Sequence, residues 1–197
     1  MIPPPAFALV EPGIYRSSIF SAEHFDFLGR LHLKTLLYVS PDFLLKSLVR
    51  FAQERGIRLV NLIGHETWSE PDVTLKSESV KRALEILLNS DHHPVLVMCT
   101  TGLHHTGAIC AALRQVQGWA FTSILEEFRR FASADLRVHA TVEHAIERFD
   151  VDLVTLPKQI PWWLASHLEH LDEETDKARA GTASFSASCG PLRTEPL

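Results

Sequence analysis

The chain is poor in the residues that staple a secreted fold. Its 197 residues contain only three cysteines, Cys99, Cys110 and Cys189. So sparse and odd a set excludes a disulfide framework and points to a reducing compartment. Long hydrophobic runs are missing as well: none approaches the roughly 18 residues of a membrane span. The opening Met1-Ile2-Pro3-Pro4-Pro5 has neither the basic nor the apolar region of a signal peptide. An intracellular protein without membrane association is expected. Positive charge is also scarce, with 19 Lys and Arg against 24 Asp and Glu and a net charge of −5. That excludes a bulk electrostatic attraction to nucleic acid, so any anionic ligand must be met by a local pocket. What is present suffices for a core. At about 150 residues per domain the chain is one domain with a remainder, and a domain of that size buries about 70% of its unfolded surface. Neither a metal nor a cofactor is needed to hold it.

The apolar pattern alternates between short runs and helical spacing. Phe7–Val10, a turn through Pro12-Gly13, and Ile14–Arg16 read as strand, turn, strand. Phe25, Leu28 and Leu31 recur at helical spacing over 22–31. Leu33–Val39 is a nearly continuous apolar run, as in a strand covered on both faces, and Pro41 stops it. A helix to about Arg55 is closed by Gly56 and followed by a strand at Ile57–Ile63. After a polar loop over 64–76, a helix is expected from Ser77, capped by Ser77 with Glu78 in its first turn, and then a central strand at Pro94–Met98. Further helices are expected at 106–117, 122–134, 138–150 and 162–171. The pattern is that of an α/β domain, a mostly parallel central sheet flanked by helices. Beyond Asp172 the composition turns acidic and then to Ala, Gly, Ser and Thr. The expected organisation is a domain over 1–171 and a disordered tail over 172–197.

The chemistry concentrates in Val95-Leu96-Val97-Met98-Cys99-Thr100-Thr101-Gly102-Leu103-His104-His105-Thr106-Gly107. A buried strand delivers a cysteine to a short loop that runs into a helix, which aims backbone N–H groups and a helix N-terminus at one point. Such a place binds an anion and lowers a cysteine pKa towards the nucleophilic thiolate. A phosphate loop of the Walker type fails, because Ala108-Ile109 stands where lysine and a hydroxyl are required. Zinc fails too, since Cys99, His104 and His105 lack a second correctly spaced pair. A cysteine-dependent phosphatase loop, Cys-x5-Arg-Ser/Thr-Gly, fits at the cysteine, the inner glycine, the hydroxyl and the last glycine. His105 holds the arginine position.

On these residues the chain resembles the plant and fungal atypical dual-specificity phosphatases, including the fungal oxidant-induced-arrest group. The likeness takes in Pro4-Pro5-x-Phe7 and Gly13-Ile14-Tyr15-Arg16-Ser17, then Pro94-Val95-Leu96-Val97-x-Cys99 and Gly102-x-His104-x-Thr106-Gly107. It continues through Leu113-Arg114-x-x-Gln117-Gly118-Trp119 and Thr122-Ser123-Ile124-x-x-Glu127-Phe128-x-Arg130-Phe131-Ala132. The resemblance implies the cysteine-dependent phosphatase fold and a cytoplasmic protein. It also implies substrates that are phosphoproteins or phosphorylated small molecules such as inositol pyrophosphates, and related phosphatase subunits as partners. Cys99 is the implied nucleophile, with Thr100, Thr101, Gly102, Leu103, His104, Thr106 and Gly107 around the phosphate.

The departures lie in that loop. Members of the family usually carry basic residues at the positions of Thr101 and Leu103 and arginine at that of His105. Imidazole cannot offer the planar two-donor fork of a guanidinium. Losing such a donor costs roughly 3–4 kcal/mol in comparable sites, so turnover is expected to be weak or lost, and the Cys99 pKa to drift upward. Below the imidazole reference value of about 6.5, His105 can carry a charge, so residual turnover is expected to rise towards pH 5.5. The general acid is open. Ser77 aligns with the family's aspartate, Asp72 lies five residues away, and Glu78 is accounted for by its place in a first helical turn. Cys110, Trp119 and Phe121 read as packing, and Arg129-Arg130 as a solvated helix face.

Overall fold

The computed structural model describes residues 1–62, 76–131 and 136–169, with backbone alone at 136–139. Five strands form one sheet in the order β1-β2-β5-β3-β4. They are β1 (Ala8–Glu11), β2 (Ile14–Ser18), β3 (Thr35–Tyr38), β4 (Arg58–Asn61) and β5 (Val95–Cys99). Only the β1–β2 hairpin is antiparallel; β2, β3 and β4 join the parallel set around β5. The helices are α1 (Phe25–Gly29), α2 (Lys46–Glu54), α3 (Ser77–Leu87), α4 (His104–Val116), α5 (Phe121–Phe131) and α6 (Leu136–Arg148). The chain divides into units at Ile160/Pro161, and in the second unit residues 162–169 are helical. The expected boundary at 171/172 and the expected tail lie outside the described residues.

The period of two along the strands sorts the core. Leu36 and Tyr38 of β3 and Leu96 and Met98 of β5 join Phe20, Leu28, Leu48 and Phe51 on the α1–α2 side. A second cluster of Ala111, Ile124, Phe128, Val142 and Ile146 joins α4, α5 and α6. Every residue of β5 is buried, which is why it reads as a continuous apolar run rather than an alternating one. Cys99 ends that strand, pairs with Ser18 of β2, and accepts a hydrogen bond from the Ile19 amide at 2.9 Å.

The residues of the Leu113–Trp119 motif prove to be structural. The Arg114 guanidinium, 5% exposed, donates to both carboxylate oxygens of Glu127 at 2.8 and 3.2 Å. It also donates to Gln117 at 2.9 Å, to the Val10 carbonyl at 2.9 Å and to Glu11, and lies over the Trp119 ring at 4.3 Å. One side chain thereby ties the β1–β2 hairpin to α4 and α5. Arg114→Met leaves two part-buried carboxylates without their cation, and is expected to lower stability by about 3–5 kcal/mol in denaturant unfolding. Arg129 is an ordinary surface residue, paired with Glu143 at 2.7 Å.

Two local expectations need correction. Ser77 does not cap α3; Lys76 occupies the N-cap and Ser77 is the first helical residue. Helix α4 begins at His104, two residues earlier than its apolar spacing suggests. The cause is Gly102, whose φ of +73° turns the chain sharply enough for Leu103 to serve as N-cap. The Gly107 amide already bonds the Leu103 carbonyl at 2.8 Å. Both histidines therefore sit in the first helical turn rather than in the loop.

Candidate active site

The end of β5, the turn over 100–103 and the start of α4 wrap around the Cys99 sulfur. Cys99 is 2% exposed, and the Gly102 amide donates to its Sγ at 3.2 Å. The first amides of a helix have no carbonyl partner within it, and their dipoles sum to about half a positive charge at that end. Burial pushes the Cys99 thiol up. The His105 imidazole, the Thr106 hydroxyl and the Thr106 amide, together with the charge His105 can carry, more than offset this and bring it down to about 6. The expected upward drift is thus not what the structure shows, because groups at the head of α4 face the sulfur where an arginine is absent. Among the described residues, His105 Nε2 and the Thr106 hydroxyl are enclosed with no hydrogen-bond partner of good geometry.

Alkylation of Cys99 by a neutral reagent needs the thiolate. Its rate is expected to be half-maximal near pH 6, where the thiol titrates. The rate should be flat above pH 8 and fall tenfold per pH unit well below 6. A midpoint near the ordinary thiol value of about 8.5 would contradict the geometry. Because the folded state lowers this pKa, the associated stabilisation is complete above the ordinary value and vanishes as pH falls through about 6. The same titration opposes the expected rise of turnover towards pH 5.5, since the nucleophile is then protonated.

The other expected site residues divide by what their side chains do. Gly102 and Thr106 are buried against the sulfur, Gly107 is buried beneath the Phe128 ring, and Leu103, His104 and His105 are half-buried at the start of α4. Thr100 and Thr101 are exposed: the Thr100 hydroxyl bonds the Asp42 carboxylate, and Thr101 Oγ1 accepts from the Leu103 amide at 3.3 Å. The Thr100 hydroxyl is thereby committed to Asp42, while the Thr101 hydroxyl keeps its own proton to donate. Asp72 lies outside the described residues. Glu78 is exposed in the first turn of α3. Ser77 borders a cleft with Ala108 and Ala112 of α4 and Val142 of α6.

Two groups near the loop were given no role by the sequence. Ser40 and Asp42 follow β3, and Asp42 Oδ2 accepts from Ser40 Oγ at 3.0 Å and from Thr100. These two hydrogen bonds, against some burial, hold the Asp42 carboxyl below the usual carboxylate range, with His105 adding a favourable charge. Asp42 is therefore an anion at the rim, unsuited to protonate a leaving group. A Pro-Asp pair after a strand gives no sign of this, since it reads as a strand stop. The second is Arg16, buried on β2, which donates from Nη2 to the Gly102 carbonyl at 2.8 Å.

A thiolate at the end of a central parallel strand, ringed by amides and a helix N-terminus, is built for attack on phosphorus. The model of the tyrosine phosphatase family matches residues 1–167. The chain belongs to the tyrosine phosphatase family. Among curated members, a probable tyrosine-protein phosphatase of Dictyostelium discoideum is 39% identical over 163 residues, 83% of this chain and 96% of that one. An inositol diphosphatase of Arabidopsis thaliana is 36% identical over 150 residues, 76% of this chain and 74% of that one. Among solved structures, the core catalytic domain of the PP-IP phosphatase Siw14 from S. cerevisiae, in complex with citrate, superposes with a TM-score of 0.69 at 37% identity. It covers 77% of this chain and 89% of that one. These relatives place this tyrosine phosphatase family member in the plant and fungal atypical dual-specificity group, with the cysteine-dependent phosphatase fold. Among the described residues no helix is long and apolar enough to cross a membrane.

Proposed function

We propose that this tyrosine phosphatase family member binds phosphorylated ligands at the Cys99 loop and turns them over weakly, because His105 stands where the family has arginine. The observation that carries this is the Cys99 sulfur at the head of α4, accepting from the Gly102 amide at 3.2 Å, in a loop over 99–107 that has His105 and no arginine. In the slow reaction the Cys99 sulfur bonds to phosphorus as the bond from phosphorus to the leaving oxygen breaks. That oxygen takes a proton from water or from a carboxylic acid of the chain, for which the sequence offers Asp72. Water then cleaves the S–P bond, releasing phosphate and restoring the thiolate. The loop amides, Gly102 among them, hold the phosphoryl oxygens throughout. His105 supports the thiolate but cannot grip two oxygens at once.

Phosphotyrosine-like aryl phosphates and inositol pyrophosphates are the substrate classes that its relatives suggest, and a reducing cytoplasm would keep such a thiolate free. With chemistry this slow, ligand binding becomes the main use of the site, and the family resemblance suggests related phosphatase subunits as its setting. The test is hydrolysis of a small aryl phosphate and of an inositol pyrophosphate by the wild type and by Cys99→Ser. Slow release of phosphate that disappears in Cys99→Ser supports the proposal. Equal release by both proteins removes Cys99 as the nucleophile.

A further inference from the structure

Arg16 is 1% exposed, and among the described residues no carboxylate pairs with it. Among the described residues its Nε and Nη1 have no hydrogen-bond partner. The guanidinium lies over the Phe131 ring, 3.7 Å from its centroid, and its Nη2 donates to the Gly102 carbonyl. A buried charge so poorly paired is costly, and an apolar side chain of similar volume would generally serve a core better. Packing alone therefore does not account for it.

Its position supplies a reason. Arg16 pairs with Val97 in the β2–β5 ladder, two residues before the Ser18–Cys99 pair, so it lies beneath the loop and on the same face as the sulfur. Gly102 is held at three points. Its amide donates to Cys99 Sγ, its carbonyl accepts from Arg16, and its α-carbon rests on the backbone of Ser17 and Ser18. Glycine reaches a φ of +73° without strain but keeps wide backbone freedom, and a clamp at both of its polar groups fixes where its N–H points.

We propose that Arg16 is the positioning residue of the phosphate loop: from behind, through the Gly102 carbonyl, it aims the Gly102 amide at the Cys99 sulfur and at an oxyanion bound there. Arg16 reaches the loop through its hydrogen bond to the Gly102 carbonyl, so it acts as a positioning residue rather than a catalytic one. It is also a cation fixed beneath a loop whose own basic positions are Thr101, Leu103 and His105. This role rests on the loop being a phosphate site, as proposed above, but the alkylation of Cys99 reads it without any phosphate.

The experiment compares the wild type with Arg16→Met, Arg16→Lys and Phe131→Leu, each checked for a cooperative thermal transition. The readouts are the pH profile of Cys99 alkylation by iodoacetamide and the affinity for inorganic phosphate. Arg16→Met is expected to move the alkylation midpoint upward and to weaken phosphate binding about tenfold or more, the scale of a lost charge-assisted hydrogen bond. Arg16→Lys, which keeps a charge and a donor, is expected to fall between the two. A folded Arg16→Met with the wild-type profile and affinity overturns the proposal. If Arg16→Met does not fold, Phe131→Leu decides. It frees the guanidinium without touching Gly102, and an alkylation profile unchanged there overturns the role. Wild type that fails to bind phosphate, while the Arg16→Met profile still shifts, removes the phosphate reading and leaves the clamp standing.

Discussion

Gly102→Ala is expected to abolish phosphate binding at the loop and to carry the Cys99 alkylation midpoint back towards that of an ordinary thiol. Two independent obstacles meet at this position. The φ of +73° is one that side chains other than glycine's rarely adopt. A Cβ would also lie 2.7 and 2.8 Å from the carbonyl carbon and oxygen of Ser17, and closer still to the Ser18 nitrogen. Those atoms belong to β2, which is paired on both sides within the sheet and cannot give way. The loop must move instead, breaking the hydrogen bonds that Gly102 makes to Cys99 and Arg16. Strain of this kind costs about 1–3 kcal/mol where it is merely tolerated, so the unfolding midpoint is expected to fall as well. Alkylation across pH 5–9 together with phosphate titration checks it. A wild-type profile in Gly102→Ala would show that the hydrogen bond from the Gly102 amide adds nothing to what His105 and Thr106 do for the thiol.

The second large effect goes the other way. His105→Arg is expected to raise turnover of a small aryl phosphate by about a hundred- to a thousandfold, the reverse of losing one such donor from an oxyanion site. The side chain starts from the first turn of α4, facing the sulfur, so a guanidinium there begins next to the phosphoryl group. Arginine keeps its charge at every working pH, so turnover of the variant should follow the thiolate alone as pH rises. Initial rates at pH 5.5–8 test this. A variant that stays as slow as the wild type, while binding phosphate, would mean that a proton donor is lacking as well.

The parts that the sequence made legible are those governed by local pattern. The continuous apolar run of β5, the Pro12-Gly13 turn and Gly56 at the end of α2 each announce their element through burial or backbone requirements confined to neighbouring residues. The turn that closes around the Cys99 sulfur was legible because it is built from consecutive residues. What was hidden depends on contacts between distant segments. Arg16 and Gly102 are 86 positions apart, and Thr100 and Asp42 are 58 apart. The early start of α4 was missed because two histidines carry no apolar signal, and the deciding feature is the backbone of Gly102. The lowered thiol had the same origin, since moving His105 and Thr106 into the helix turns them to the sulfur. Arg114 was read only as part of a helix shared with the family, and its hold on the hairpin and two helices is visible only once Glu11 and Glu127 are brought together.

The most direct measurement takes the wild type, Cys99→Ser and His105→Arg through one pair of assays, phosphate binding by calorimetry and aryl phosphate turnover at pH 7. The expected result is phosphate binding by the wild type with turnover at least about a hundredfold below His105→Arg, and none in Cys99→Ser. Wild-type turnover equal to that of His105→Arg would contradict it, showing that the imidazole at position 105 does the arginine's work.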